Sequence, residues 1–113
     1  MKKDKCFEAT EFNNIKEIIY NSANKYANTN AFIIKNNFNE RDASAAGKYT
    51  YITYKAFLND INSLGTAFFK YGFKDKRVAI LGRNCYEWAL THFTSLLGGM
   101  VSVPLDKELH DIE

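Results

Sequence analysis

The stretch RVAILGRNCYEWALTHFTSLLGGMVSVPL, residues 77–105, decides the fold of this chain. It opens with a compact apolar run at residues 77–82 and closes with a second one at residues 101–105, and both runs are typical of buried strands. Between them, apolar side chains recur at spacings of three and four residues, which predicts a helix that Gly98-Gly99 ends. A strand, a helix and a strand joined by short links predict a right-handed βαβ unit, and hence a parallel sheet.

The helix within this unit carries its own start signal. Asn84 and Glu87 have the spacing of an N-cap residue and the third helical residue, a variant of the capping box, which makes Cys85 the first helical residue. We expect Leu81 and Val103 to lie on neighbouring or near-neighbouring parallel strands. The helix is expected to pack across these strands through three large apolar side chains, Trp88, Phe93 and Leu97.

Upstream of this unit, the pattern predicts a helix and an antiparallel strand pair. Apolar residues at helical spacings predict a helix from Phe12 to Ala27. Two runs rich in β-branched and aromatic residues, Ala31–Lys35 and Tyr49–Thr53, are typical of strands. The polar residues 36–48 between them are expected to form an exposed loop, so that the two strands pair at a sheet edge.

A second helix is expected between this strand pair and residue 77. Thr53 is placed to act as its N-cap. The apolar face continues to Tyr71, and Gly72 follows where a left-handed residue often ends a helix. Gly65 lies on the apolar face and fits either a close approach of another backbone or a small packing residue.

These elements together predict an α/β fold of incomplete extent. Its order is an N-terminal helix, an antiparallel strand pair and a right-handed βαβ unit with parallel strands. Residues 106–113 resemble the first turn of a further, truncated helix. A lone βαβ unit with a hairpin leaves strand edges and one sheet face uncovered, so the chain resembles the opening of a larger domain.

The composition is that of a globular chain. Of its 113 residues, 46% are hydrophobic and 15% aromatic, which excludes a disordered chain. No apolar run approaches the roughly 18 residues of a membrane-spanning helix, and no apolar core of a signal peptide follows the basic start. We therefore expect a cytoplasmic protein without a transmembrane segment.

The charge totals give no sign of a nucleic-acid partner. The chain carries 15 Lys and Arg against 13 Asp and Glu, a net charge of +2. Residues 1–5 alone account for that excess because they hold three Lys and one Asp. We expect no segment that combines clustered Lys or Arg with interleaved aromatics, as a phosphate-binding groove does.

Neither a metal site nor a disulfide is expected. Cys6 and Cys85 lie far apart in the sequence without a Cys-x-x-Cys motif, and neither His92 nor His110 stands at metal-ligand spacing from them. A structural zinc site needs about four such ligands. A disulfide is rare in a reducing cytosol.

Two candidates for chemistry lie at the turn that follows residue 81. Gly82-Arg83-Asn84 forms a strand-to-helix turn of the kind that binds anions. It lacks both Gly-x-Gly-x-x-Gly and Gly-x4-Gly-Lys-Ser/Thr, so a tight turn with a solvated arginine is the simpler interpretation. Cys85 stands where a helix dipole can favour a thiolate, but no base or resolving cysteine is near it in sequence, and an inert residue explains it as well.

Glu87 and His92 are a third candidate, as an acid–base pair. Five residues correspond to about 500° of helix rotation, so the two side chains project about 140° apart, which argues against a dyad. No set of nucleophile, base and orienting group can be assembled from the sequence. We therefore assign no catalytic, cofactor-binding or metal-binding residue.

Several short segments, taken in order, resemble a known family. They are Tyr51-Ile-Thr-Tyr-Lys, Tyr71-Gly72, Asp75-Lys-Arg-Val-Ala-Ile-Leu, Asn84-Cys-Tyr-Glu-Trp88 and Gly99-Met-Val-Ser-Val-Pro-Leu-Asp106. This succession, within residues 12–113, resembles the N-terminal region of AMP-forming acyl-CoA synthetases, a group that includes luciferases and peptide-synthetase adenylation domains. The Asn-x-x-Glu-Trp element is most similar to the long-chain fatty acyl-CoA synthetase branch.

The resemblance implies a ligase activity and a larger fold. Members of the family use ATP and magnesium to convert a carboxylic acid into an acyl-adenylate, with release of pyrophosphate. They then transfer the acyl group to the thiol of coenzyme A. Their large N-terminal domain has flavodoxin-like subdomains and is followed by a mobile lid, so residues 1–113 would be an incomplete first subdomain of the AMP-binding domain.

The family's catalytic segments are not found in these 113 residues. The sequence contains no Thr-Ser-Gly-Thr-Thr-Gly phosphate loop and no Tyr-x-x-Thr-Glu segment, and no position matches the ribose-binding Asp or the catalytic Lys. The chain alone is therefore expected to be inactive and to hold no cofactor itself. It is expected to self-associate through its uncovered sheet face, with Leu81, Val101 and Val103 as the contact surface. Two alternatives stay open: a stand-alone α/β binding module, and part of an adenylation domain that passes its acyl group to a carrier-protein thiol.

Overall fold

The computed structural model describes residues 9–36 and 47–108 of the chain. In chain order, its elements are α1 (Ile15–Lys25), β1 (Asn30–Lys35), β2 (Tyr49–Thr53), α2 (Tyr54–Lys70), β3 (Arg77–Leu81), α3 (Tyr86–Leu97) and β4 (Val101–Leu105). The predicted α/β order is confirmed. Most of the loop predicted at residues 36–48 lies outside the described residues, as do residues 109–113 of the predicted last helical turn.

Helix α1 begins at a capping network, three residues after the predicted start at Phe12. The Asn14 side chain accepts a hydrogen bond from the Glu17 backbone N–H at 2.9 Å. The Glu17 carboxylate accepts one from the Asn13 backbone N–H, also at 2.9 Å. These bonds satisfy N–H groups that a helix start leaves without partners. Hydrogen bonds from the Asn13 backbone and side chain lower the pKa of Glu17.

Strands β1 and β2 pair antiparallel, as predicted, with Ile33 opposite Tyr51. Beyond the strand ends, the Asn36 N–H donates to the Lys48 carbonyl at 2.8 Å and extends the pairing. In the described part of the chain this pair forms a sheet of its own. The pair was expected at the edge of a larger sheet, but no described strand joins it to β3 and β4.

Strands β3 and β4 pair in parallel, with Ala79 opposite Val103 and Leu81 opposite Leu105. Helix α3 connects the two strands and contacts both of them. The predicted strand–helix–strand unit, with Leu81 and Val103 on neighbouring parallel strands, is therefore confirmed.

The two faces of the β3–β4 sheet are covered unequally. Ile80 is buried on one face. On the other face, Leu81 is 67% exposed and Val101 is 54% exposed. Because side chains alternate between faces along a strand, this second, apolar face has no covering layer among the described residues.

Helix α2 is capped at both ends as the sequence predicts. The Thr53 hydroxyl accepts a hydrogen bond from the Ala56 N–H at 3.1 Å. At the other end, Gly72 has a φ of +77°, and the Phe73 N–H donates to the Phe68 carbonyl at 3.0 Å. The rings of Phe68 and Phe73 meet edge to face, with centroids 5.4 Å apart. These contacts form a Schellman motif with its apolar contact.

The capping box predicted for α3 is wrong by one residue. The helix begins at Tyr86, and its N-cap is Cys85, whose carbonyl accepts from the Ala89 N–H at 3.2 Å. The Cys85 side chain makes no capping hydrogen bond. Asn84 therefore lies one residue outside the helix, and Glu87 is its second residue rather than its third, so the two lack the geometry of a capping box.

Helices α2 and α3 meet through small side chains. Thr94 and Ser95 are the most buried residues of α3. A Cβ on Gly65 would lie 3.6 Å from Thr94 Cγ2, an ordinary contact distance. Gly65 is therefore a small packing residue beside a side chain, which was the second of its two interpretations.

A cluster of aromatic rings joins β1, α2 and α3. Neighbouring ring centroids lie 4.9 to 6.0 Å apart. The members of the cluster are Phe32, Phe57, Tyr86 and Phe93. The prediction that α3 packs on the strands through Trp88, Phe93 and Leu97 therefore omits a contact. Phe93 also packs edge-on against Phe57 of α2. Trp88 lies at the end of β3, where a Cβ on Gly82 would be 3.8 Å from its ring.

Candidate functional site

The carboxyl ends of β3 and β4 lie at one edge of their sheet, because the two strands are parallel. At this edge, residues 82–85 carry the chain from β3 into α3, and the chain leaves β4 after Leu105. Ligands of open α/β sheets commonly bind at such an edge, where turn N–H groups and a helix start converge. The predicted candidates Gly82, Arg83 and Asn84 all lie in this turn.

A groove of about 920 Å³ lies on one side of the turn. Its walls are residues 32–35 of β1 and residues 83–89. Strand β1 contributes the apolar side chains of Phe32, Ile33 and Ile34. A volume of this size falls in the range of small-molecule sites. The β1–β2 hairpin therefore contributes to the site, which the sequence did not predict.

A smaller hollow of about 380 Å³ lies on the other side of the turn. It is lined by residues 82–84, Trp88 and residues 105–107. Three residues line both the groove and the hollow: Arg83, Asn84 and Trp88. The turn is thus a shared wall, and a change at these three side chains alters both spaces.

The charges around the smaller hollow are mixed. Lys107 pairs with Glu108, with Nζ and Oε1 3.3 Å apart, and the Asp106 carboxylate accepts the Glu108 N–H at 2.9 Å. Arg83 is exposed and forms no salt bridge with another described residue. This matches a solvated arginine and equally leaves the guanidinium free to meet an anion.

The start of α3 is anchored to α2 by one side-chain hydrogen bond. The Tyr86 hydroxyl donates to the Asp60 carboxylate. Burial raises the pKa of Tyr86 well above its usual range, and the hydrogen bond and negative charge of Asp60 raise it further. Like an ordinary tyrosine, Tyr86 is a neutral donor at physiological pH, and its hydrogen bond to Asp60 fixes one wall of the larger groove.

Cys85 carries an exposed free thiol at the N-cap of α3. It belongs to the wall of the larger groove. Among the described side chains, none forms a hydrogen bond with its sulfur. The structure therefore brings no base to this thiol from the part of the chain that it describes.

Glu87 and His92 are not brought together. His92 Nδ1 lies 2.8 Å from Ser102 Oγ, and the His92 ring stacks on Trp88 with centroids 5.1 Å apart. Glu87 is exposed. The angular argument against a dyad thus agrees with the contacts of His92.

Ser102 is the polar partner that sequence reasoning missed. It lies opposite Val78 in the β3–β4 ladder. The available signal was a single hydroxyl inside the apolar run Val101–Leu105. A histidine and a serine at this distance form two thirds of a nucleophilic triad. In residues 9–36 and 47–108, however, no carboxylate hydrogen-bonds to His92, so the pair serves to fasten α3 to β4.

Side chains that commonly bind metal ions do not cluster in the described residues. Within them, no three His, Cys, Asp or Glu side chains stand close enough together to hold a metal ion. Magnesium prefers carboxylates together with substrate phosphates. We therefore derive no reaction step through a metal on this part of the chain.

Comparison with known proteins now defines the class. Residues 20–113 match the sequence model of a family described as AMP-binding enzymes, which covers more than four fifths of the chain. The chain therefore belongs to the AMP-binding enzyme family, a group of AMP-dependent ligases. No curated protein matches the chain. None of the described helices has both the length and the apolar character needed to span a membrane.

Proposed function

We propose that this chain is the first part of the adenylate-forming domain of an acid–thiol ligase. The observation that carries the proposal is the family match over residues 20–113. The element order supports it, since the parallel β3–α3–β4 unit places a turn and two hollows at the carboxyl ends of its strands. Residues 1–113 are then a partial N-terminal subdomain.

The proposed reaction has two steps. The substrate carboxylate attacks the α-phosphorus of ATP, which forms an acyl-adenylate and releases pyrophosphate. The thiol of coenzyme A then attacks the acyl carbon, which forms a thioester and releases AMP. ATP, magnesium and coenzyme A are the cofactors and substrates this proposal requires of the complete enzyme.

The role of this chain in that reaction is architectural. Its sequence lacks the phosphate loop that family members use, and no family active-site residue corresponds to one of its positions. Adenylyl transfer depends on fixed donors and cations around the reacting phosphate. We propose that this chain supplies one wall of the domain and takes no direct part in the chemistry.

Long-chain fatty acids are the proposed substrates. The support is the succession Asn84-Cys-Tyr-Glu-Trp88, which resembles the long-chain branch of the family. In the structure this succession forms the end of the turn and the start of α3, beside both hollows. A cytoplasmic location remains part of the proposal.

The experiment that tests this proposal starts from the gene. The DNA is read past codon 113, and the longest open reading frame that contains this sequence is expressed and assayed for pyrophosphate release with ATP, magnesium and fatty acids of increasing length. We expect release that depends on the acid, and an acyl-CoA thioester as the product. Transfer to a carrier-protein thiol instead would identify a carrier-dependent adenylation domain. The absence of pyrophosphate release with every acid would contradict a ligase.

A further inference from the structure

We propose that the connection between α2 and β3 is a docking surface for an anionic lipid bilayer. This surface, which we call the basic-aromatic turn, comprises residues 69–77, Phe-Lys-Tyr-Gly-Phe-Lys-Asp-Lys-Arg. It lies at the start of β3, whereas the candidate site lies at the end of that strand. The proposal goes beyond the ligase function and does not depend on it.

The basic-aromatic turn concentrates positive charge that the chain total hides. Its net charge is +3, while the whole chain carries +2. Its cations are all exposed and form no salt bridge with another described residue. They are Lys70, Lys74, Lys76 and Arg77. The expectation that no segment combines clustered cations with interleaved aromatics is therefore wrong for residues 69–77.

Three aromatic side chains of the basic-aromatic turn are open to solvent. Phe69 is 67% exposed, Tyr71 is 77% exposed and Phe73 is 41% exposed. These three rings lie within five consecutive residues, and grouped exposed apolar side chains mark interaction surfaces. Aromatic rings are favoured at the level of lipid headgroups, and lysine side chains beside them are attracted to anionic lipids.

The backbone holds the basic-aromatic turn in a fixed shape. Gly72 and Asp75 both have positive φ, at +77° and +61°, and reverse the chain. The Asp75 N–H donates to the Gly99 carbonyl at 3.1 Å, and the Val101 N–H donates to the Lys76 carbonyl at 2.9 Å. A surface that is already ordered loses little conformational entropy on binding.

The shape favours a bilayer over a nucleic acid. Single strands are bound in a positively charged groove that follows their backbone. The basic-aromatic turn is instead a tight turn at a helix end, from which Tyr71 projects with three quarters of its surface exposed. Such a projection can enter the headgroup layer of a membrane while the surrounding cations stay in water.

The test is co-sedimentation of the chain with lipid vesicles. One set contains phosphatidylcholine alone, and the other an equimolar mixture of phosphatidylcholine and phosphatidylglycerol. We expect binding to the mixed vesicles only, weakening as salt is added. The variant Lys74→Gln/Lys76→Gln should lose roughly thirtyfold in affinity, given the typical contribution of a lysine near an anionic surface. Tyr71→Ser should also bind more weakly.

A matched control removes the same charge elsewhere. Lys48→Gln/Lys55→Gln changes two exposed lysines outside the basic-aromatic turn and should lose less than about threefold. Circular dichroism checks each variant, and single Lys74→Gln replaces any double variant that loses helical signal.

Three results would overturn the proposal. The first is equal binding to both vesicle types or to neither, and the second is an equal loss in the control variant. The third is binding of a DNA oligonucleotide, without vesicle binding, that Lys74→Gln/Lys76→Gln abolishes, since that result would identify a nucleic-acid surface.

Discussion

The Nδ1 atom of His92 and the hydroxyl oxygen of Ser102 lie 2.8 Å apart and join α3 to β4. The His92 ring also stacks on Trp88, with an angle of 23° between the ring planes. This hydrogen bond is part-buried. If either side chain were removed, water could only partly replace it as the hydrogen-bond partner of the remaining one. The pair therefore holds the helix in position on the sheet beneath the candidate site.

Removing the hydroxyl should measurably destabilise the chain. We expect Ser102→Ala to cost about 1–2 kcal/mol, because one nitrogen of His92 is left without its partner. His92→Phe combined with Ser102→Ala should cost less than the sum of the single changes, with a coupling of at least about 0.5 kcal/mol. Urea unfolding measures these costs. Ser63→Ala, on the exposed face of α2, is the control, and a Ser102→Ala cost no larger than the control's would contradict the fastening role.

Substitutions at the starts of α2 and α3 should differ in their effect on stability, because only α2 has a side-chain cap. Thr53→Ala should cost about 1 kcal/mol because the Ala56 N–H loses its acceptor. Asn84→Ala should change stability by less than a few tenths of a kcal/mol, since Asn84 is not the N-cap of α3. Cys85→Ser should stabilise the chain, because a serine hydroxyl at the N-cap can accept a hydrogen bond from a free N–H of α3. Thermal unfolding of the three variants measures these effects. A cost for Asn84→Ala equal to that of Thr53→Ala would show that Asn84 is the N-cap of α3 after all.

The raised pKa of Tyr86 predicts that the folded chain loses stability at high pH. Its pKa is raised on folding, mainly by burial and then by Asp60. Its contribution is therefore fully present below the pKa of an unfolded tyrosine, about 10, and is lost as the pH rises above that value. We expect the melting temperature to fall as the pH rises above about 10, and to fall less in Tyr86→Phe. Tyr71→Phe, at an exposed position, is the control, and equal falls in both variants would refute the linkage.

Local patterns predicted the elements well where one periodicity dominated. The alternation of strand and helix in residues 77–105 gave the parallel pair, and Gly72 marked the end of α2. The start of α3 was misplaced because Asn84 and Cys85 compete for the N-cap, and the hydrogen bond that decides between them is made by the backbone. Sequence motifs favour good capping side chains, and this helix starts without one.

The candidate site was only partly predictable from the sequence. Gly82, Arg83 and Asn84 lie in the predicted strand-to-helix turn, because strand ends and turns are local features, but Asn84 is not the N-cap of α3. The contribution of β1 to the larger groove and the pairing of His92 with Ser102 depend on contacts between distant elements. A single sequence gives no register between such elements, so these features required the structure.

The uncovered face of the β3–β4 sheet predicts self-association of this chain. Leu81 and Val101 expose apolar surface on that face, and such a face is a contact site for other copies. Leu81→Lys should shift the chain toward monomer in size-exclusion chromatography without lowering its melting temperature, since the side chain is already exposed. Ile33→Lys, on the separate β1–β2 sheet, is the control. A wild-type chain that elutes as a monomer at all concentrations would contradict this prediction and favour a stand-alone binding module.

Pyrophosphate release from ATP tests the central claim most directly. The purified 113-residue chain is compared with the longest open reading frame that contains it, each incubated with magnesium and fatty acids. We expect no turnover above background from the chain, because the groups that would hold the triphosphate and stabilise its developing charge are not in its sequence. Acid-dependent turnover is expected from a longer product. Turnover by the 113-residue chain itself would contradict the claim that it supplies architecture to a ligase and not its chemistry.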